Sequence, residues 1–362
     1  MSATVQTAVQ TTVQTAVQTA VMGVSGYAGA ELARLLARHP QLAAAKPVLM
    51  SRAETAGGTL GALYPALEDS FGTGQLAVEA FAWETLAERG VKVLFLATPH
   101  ESSRELAPEA LERGLRVIDL SGAWRLEQAE NRAVYGFHDE NAARAEATQR
   151  AAVYGMPELH REQIREARMV ANPGCYATAA ILALKPLMAA GVVDEESGVI
   201  CDAKSGVSGA GKAATATTHF MHAGENFSAY GVYTHRHVGE LLEQLSVARE
   251  AMTFTPHLLP IARGILATSY VRLRERMTQE QMSAIFTSFY AGSPMVRLRG
   301  GSLPEIQHVA RTNYCDIGWR VAPDGRRAVI VSCLDNLLKG AAGQAVQNLN
   351  VMMGWPEREG LE

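Results

Sequence analysis

Apolar and polar positions alternate along this chain in two different rhythms. In the first, short apolar runs stand between helical patterns. Residues 19–22 (TAVM) lead into a Gly-rich turn and then ELARLLARH, where Leu32, Leu35 and Leu36 share one helical face. PVLMSR (47–52) is a short apolar run, VKVLFLATP (91–99) is a continuous one with the pattern of a strand buried on both faces, and LRVIDLSG (115–122) reads as a further strand after a helix. Strands interleaved with helices over roughly the first 150 residues predict a doubly wound parallel sheet of Rossmann type. The second rhythm brings candidate strands at 198–204, 253–259, 264–273 and 327–331 and longer helices at 175–190 and 238–249. It predicts an α+β domain built on a mixed sheet.

The expected organisation is therefore α/β: a leader (1–16), a dinucleotide-binding domain (17–172) and an α+β substrate and dimerisation domain (173–335). The amphipathic stretch 336–356 returns to the first domain. The leader repeats TAVQ and TTVQ units with Gln at 6, 10, 14 and 18; it lacks a basic start and a continuous apolar run, so it reads as low-complexity chain rather than a signal peptide or membrane span.

Composition narrows the class. The chain has 362 residues, 48% hydrophobic and 19% charged, with 33 Lys and Arg against 37 Asp and Glu, a net charge of −4. That balance gives no electrostatic footprint for nucleic acid or an anionic membrane. The four cysteines (175, 201, 315, 333) form no C-x-x-C pair and no zinc-ligand spacing, which suits a reduced, cytoplasmic protein without a metal.

Chemistry concentrates in a few motifs. Gly23, Gly26 and Gly29, with Ser25, Tyr27 and Ala28 between them, form G-x-x-G-x-x-G between a strand and a helix, where backbone N–H groups and the helix dipole can hold a pyrophosphate. A plain glycine turn is the competing reading. After the second strand come Ser51 and Arg52 rather than an acidic residue, which favours NADP(H), with its 2′-phosphate, over NAD. GVSGAGK (206–212) fails as a nucleotide triphosphate loop because Ala213 replaces the metal-binding Ser or Thr.

In ANPGCYATAA, Asn172 is the expected N-cap and Pro173 the first helical residue. Cys175 then lies in the first turn, where free N–H groups stabilise a thiolate nucleophile. The other three cysteines read as core. In THRHVGEL, His237 and Glu240 stand three apart at a helix start, so the carboxylate can orient the imidazole as acid/base; His235 is the alternative. His219, His222 and His257 are weaker candidates. Arg236 makes the cluster partly cationic and suited to an anion. The helix start and Glu240 pull on His237 in opposite senses, so a pKa near the ordinary value of about 6.5 is expected.

Together these residues resemble the N-acetyl-γ-glutamyl-phosphate reductase family of the aspartate-semialdehyde dehydrogenase superfamily. The resemblance runs from about 19 to 356 through GVSGYAGAEL, FLATPHESS, DLSGAWRL, YGMPEL, ANPGCYATAA, SGVSGAGK, HRHVGEL, PHLLPIARGIL and DNLLKGAAGQAVQN. It implies NADPH-dependent reduction of a small acyl phosphate through a Cys175 thioester, in arginine biosynthesis, by a homodimer or homotetramer. It further implies cofactor contacts from Pro99, Ser205, Gly206, Gly209 and Asn336, and substrate contacts from Arg125 (phosphate), Asn172 and Arg263 (α-carboxylate). A reductase for a related acyl phosphate, on the lysine pathway or aspartyl phosphate, and a dinucleotide-sensing module without catalysis remain the alternatives.

Overall fold

A computed structural model of the protein describes residues 17–68 and 72–362. The repeat leader 1–16 lies outside the described residues. The first sheet has eight strands, in the order Gly58–Thr59, Ala77–Ala80, Val48–Ser51, Thr19–Met22, Val93–Leu96, Arg116–Asp119, Met169–Ala171 and Ala152–Tyr154. All neighbours are parallel except Gly58–Thr59. The central strands are buried at every position, because helices cover both faces. One of these helices is α1 (Tyr27–Arg38), whose Leu32, Leu35 and Leu36 enter the core as their spacing requires.

The second sheet has seven strands in the order Ser228–Ala229, Met252–Leu259, Val199–Gly206, Ile265–Arg272, Arg327–Leu334, Cys315–Val321 and Val296–Gly300. It is mixed, with parallel pairs only between the second and third and between the last two strands in that order. Helix α2 (Cys175–Ala189) lies on one face, covered in turn by α3 (Val238–Leu245). Sandwiched this way, α2 needs no polar stripe, and its run of Ala, Ile and Leu is buried almost all round. On the opposite face Ile200 and Tyr270 stay exposed.

Between the sheets, a five-residue π-turn (Leu338–Ala342) opens into α4 (Gly343–Met353). Leu338, Ala345, Val346 and Leu349 pack into the core of the first sheet, so the chain's end ties the second sheet's unit to the first. Lys339 is wholly buried there, 2.7 Å from the buried Glu158 carboxylate and 2.6 Å from Gln347. Among the described residues, no helix is long and apolar enough to cross a membrane.

Candidate active site

Cys175 opens α2 at the floor of a cleft of about 370 Å³ that His235, Arg236, His237, Ser205 and Gly209 also line. The residue before the helix is the reason the cleft closes so tightly. Gly174 is the N-cap, and a Cβ there would lie 2.3 Å from His237 Nε2, so only glycine lets the imidazole rest directly on the helix start. The expected cap is corrected accordingly. Asn172 is buried before the helix and caps nothing, and Pro173 stands outside it. The Asn172 amide donates to the Ala341 carbonyl and accepts from Asn348, which locks the approach to Cys175 from the α4 side.

Glu240 holds this start in place. Its wholly buried carboxylate accepts the Gly174 N–H at 2.9 Å and the Tyr154 hydroxyl at 2.6 Å on one oxygen, and Arg125 Nη1 at 3.1 Å on the other. His237 Nε2 is 3.9 Å away, beyond hydrogen-bond reach, and His237 Nδ1 is buried without a partner. Glu240 therefore positions the backbone before Cys175, where the sequence suggested it would orient the imidazole. Three strong donors within reach of one carboxylate outcompete a histidine on the same helix.

Each Arg125 nitrogen already has a protein acceptor. Besides Glu240, Nε donates to the Asn172 carbonyl and Nη2 to the Leu120 carbonyl, each at 2.7 Å. As a buried cation it requires that carboxylate, and it does not line the Cys175 cleft as a phosphate ligand would. Arg263 also departs from expectation. It forms ion pairs with Glu31 of α1 and, at 3.7 Å, with Asp335. It lines a second cleft of about 420 Å³ with Tyr27, Ser208 and Lys212, away from Cys175. Two acidic side chains already pair with it on the dinucleotide side.

The protonation states differ from those the sequence suggested. Burial pushes the Cys175 thiol up to about 11, against the pull of the Tyr176 N–H and of Arg125. Burial likewise holds His237 well below the usual imidazole range, and His235, Arg125, Arg236 and His100 all add to the depression. His235 is held down to about 4 by burial and then by Arg236. Its ring sits edge-on to Tyr176, Tyr230 and Phe254, and its Nδ1 accepts the His237 N–H at 3.1 Å. The free site thus contains a thiol and neutral imidazoles. Cys201, Cys315 and Cys333 are buried and unpaired.

The dinucleotide side is built from glycines that no other residue could replace. Gly23 has φ +98°, and a Cβ there would lie 2.3 Å from the Ala97 carbonyl oxygen; one on Gly29 would lie 2.2 Å from the Gly23 oxygen. Gly26 caps α1 without any side-chain hydrogen bond, leaving the first-turn N–H groups of Tyr27, Ala28 and Gly29 for an anion. The Ser25 carbonyl accepts the Tyr64 hydroxyl. Ser51 is fully buried with its hydroxyl on the Arg52 carbonyl, so Arg52 is the exposed member of the pair. Pro99 caps the helix His100–Glu112. Asn336 accepts the Gly264 N–H and donates to Ser208, fixing the loop after Ser205 and Gly206.

Sequence reasoning passed over several residues. Tyr154 holds Glu240, and Gly340 in the π-turn backs directly onto the Cys175 Cβ. Lys212 lies 4.4 Å over the Tyr64 ring, joining the two sides of the dinucleotide cleft. Tyr154 and Gly340 fall inside quoted motifs, which was the available signal; the Lys212–Tyr64 contact had none.

Known proteins resemble this chain along almost its whole length. Residues 18–167 match the family model described as semialdehyde dehydrogenase, NAD binding domain, and residues 175–336 match semialdehyde dehydrogenase, dimerisation domain. The chain is 45% identical over 346 residues to N-acetyl-gamma-glutamyl-phosphate reductase of Symbiobacterium thermophilum, covering 94% of this chain and 96% of that one. It is 40% identical over 348 residues to the protein of the same name from Methanocaldococcus jannaschii, with the same coverage. Among solved structures, aspartate semialdehyde dehydrogenase II of Vibrio cholerae, complexed with ASA, shares the fold at a TM-score of 0.69 and 18% identity, over 93% of this chain and 98% of that one.

Proposed function

This chain belongs to the semialdehyde dehydrogenase family, among its N-acetyl-γ-glutamyl-phosphate reductases, and on that premise we propose how its residues divide the reaction. The reaction is the NADPH-dependent reductive dephosphorylation of N-acetyl-L-glutamyl 5-phosphate to N-acetyl-L-glutamate 5-semialdehyde, a step of arginine biosynthesis. The observation that carries the residue assignment is the placement of the Cys175 helix start directly beneath the His237 imidazole.

Cys175 is the nucleophile. With the thiol near 11 and His237 neutral, attack begins by transfer of the thiol proton to His237 as Sγ approaches the acyl carbon. The C–S bond forms, the C–O bond to phosphate breaks, and the leaving oxygen carries away the electron pair. The uncapped N–H groups of the first turn of α2 are placed to stabilise the carbonyl oxygen as charge develops on it. NADPH, when bound, supplies the hydride that converts the thioester to a thiohemiacetal. The oxyanion of that thiohemiacetal re-forms the C=O bond as the C–S bond breaks, the aldehyde departs, and His237 returns to the Cys175 sulfur the proton it took in the first step. His235 holds the His237 backbone rather than sharing the proton transfer.

The cofactor site fits a dinucleotide: Gly23 and Gly29 let the turn pack tightly on the Ala97 and Gly23 backbone, and the α1 N-terminus it leads into is free of side-chain caps. Arg52 is assigned the 2′-phosphate, and Ser205, Gly206, Gly209, Asn336 and Pro99 form the surrounding shell. Arg263 belongs to this side, bridging α1 and Asp335. The reading includes assembly as a homodimer or homotetramer; the dimerisation-domain match and the open sheet face bearing Ile200 and Tyr270 support it. Four unpaired cysteines suit the reducing cytoplasm.

The test is phosphate-dependent reduction of NADP⁺ with N-acetyl-glutamate semialdehyde, run against aspartate semialdehyde and repeated on Cys175→Ser. Turnover with the first substrate only, lost in the variant while NADPH still binds, is the expected result. Substantial turnover by Cys175→Ser would move the nucleophile elsewhere.

A further inference from the structure

With Arg125 enclosed by Glu240 and two carbonyls, the phosphoryl group of the substrate lacks a cationic partner at the Cys175 cleft. One guanidinium there is uncommitted. Arg236 is exposed, lines the cleft beside His237, and has no carboxylate within ion-pairing distance among the described residues. Its Nη1 lies 2.5 Å from Nε2 of His100, and its guanidinium is 5.7 Å from the Tyr135 ring centre.

That contact with His100 is incompatible with its own hydrogens. His100 Nδ1 accepts the Gly122 backbone N–H at 2.8 Å. A neutral imidazole carries one proton, so it sits on Nε2 and points at Arg236, which has only N–H groups to offer. Placing the proton on Nδ1 would set it against the Gly122 N–H instead. Protonating both nitrogens worsens each contact, and burial, with Arg236 and Arg125 nearby, holds His100 down to about 4. Two donors therefore face each other at hydrogen-bond distance without an acceptor, beside the free N-terminus of the helix His100–Glu112.

An anionic oxygen placed at this contact would accept from both. We infer that Arg236 and His100 form the seat for the phosphoryl group of the acyl phosphate, and for inorganic phosphate in the reverse direction; the inference rests on the reaction assigned above. When Cys175 Sγ bonds to the acyl carbon and the C–O bond breaks, the electron pair stays on the phosphate oxygen, and the Arg236 charge stabilises the anion where it forms.

The experiment varies inorganic phosphate in the NADP⁺-reducing assay with N-acetyl-glutamate semialdehyde, using the full chain, Arg236→Gln, Arg236→Lys and His100→Phe. Loss of a charge-assisted pair predicts a KM for phosphate raised about tenfold or more in Arg236→Gln, with the KM of semialdehyde and of NADP⁺ changed less than about twofold. Arg236→Lys recovers part of the loss as a point charge without the fork. His100→Phe raises the phosphate KM by a smaller factor. An unchanged phosphate KM in Arg236→Gln overturns the seat. So does a fall in kcat alone with a displaced pH profile, which would mean that Arg236 merely holds His237 in place. A parent enzyme without phosphate-dependent turnover overturns the reaction itself, and the seat with it, before any variant is compared.

Discussion

Replacing Glu240 by Gln keeps the shape of the side chain and removes its charge, at a position where both carboxylate oxygens are engaged. One oxygen of Glu240 meets Arg125 at 3.1 Å, and the other meets the Tyr154 hydroxyl and the Gly174 N–H. Whichever way the amide is turned, its NH₂ faces a donor. Turned toward Tyr154, the hydroxyl can rotate and accept, but the Gly174 N–H cannot; turned toward Arg125, the clash is with a cation. In both orientations the buried Arg125 loses its ion-pair partner, a situation that costs about 3–5 kcal/mol. At roughly 2–4 °C per kcal/mol for a domain of this size, the melting temperature of Glu240→Gln should fall by about 6–20 °C.

Thermal unfolding followed by circular dichroism measures the fall, with Arg125→Met/Glu240→Gln as the control. Removing the stranded cation should return a substantial part of the lost stability, whereas two independent contacts would give additive losses. The surviving folded fraction should also turn over slowly, because the Gly174 N–H no longer has its carboxylate and the start of α2 loosens. A melting temperature within about 2 °C of the parent would refute the reasoning, since the buried pair would then carry no burden. So would a double variant as unstable as the sum of the singles.

Two further outcomes follow from the same structure. Alkylation of Cys175 by iodoacetamide, without substrate, should accelerate steadily with pH toward an inflection near 11, because the thiolate is the reactive form and burial raises the thiol; a plateau reached near pH 7 would show a standing thiolate–imidazolium pair instead. Arg52→Ala should weaken NADPH binding by roughly tenfold or more and leave NADH nearly unchanged, as the loss of one charge-assisted phosphate contact requires; equal weakening of both, read by titration of cofactor fluorescence, would place Arg52 on another part of the dinucleotide.

The strands at 19–22, 48–51 and 93–96 and the glycine turn were legible because their causes are local: unbroken apolar runs and a turn that tolerates no Cβ. The helix start at Cys175 was legible for a similar reason, although its cap is Gly174 and not Asn172. What the sequence could not disclose is which charges neutralise each other. Arg125 and Glu240 are 115 positions apart, and Arg263 and Glu31 are 232 apart. Each pairing removes an arginine from the substrate-binding role that its motif suggested. A local reading assigned Glu240 to His237 from their i, i+3 spacing, and the fold supplied three better donors.

The same burial explains why the expected pKa values failed and what their failure accomplishes. The helix-terminus argument for an acidic thiol counts the N–H groups around Cys175 but not the solvent removed from it, and desolvation is the larger effect here. Thiol and imidazole therefore begin uncharged, and moving a proton between them creates two charges close to the Arg125 and Arg236 guanidiniums. Those cations oppose an imidazolium. A phosphoryl anion on the seat proposed at Arg236 would offset that charge and lower the cost of protonating His237.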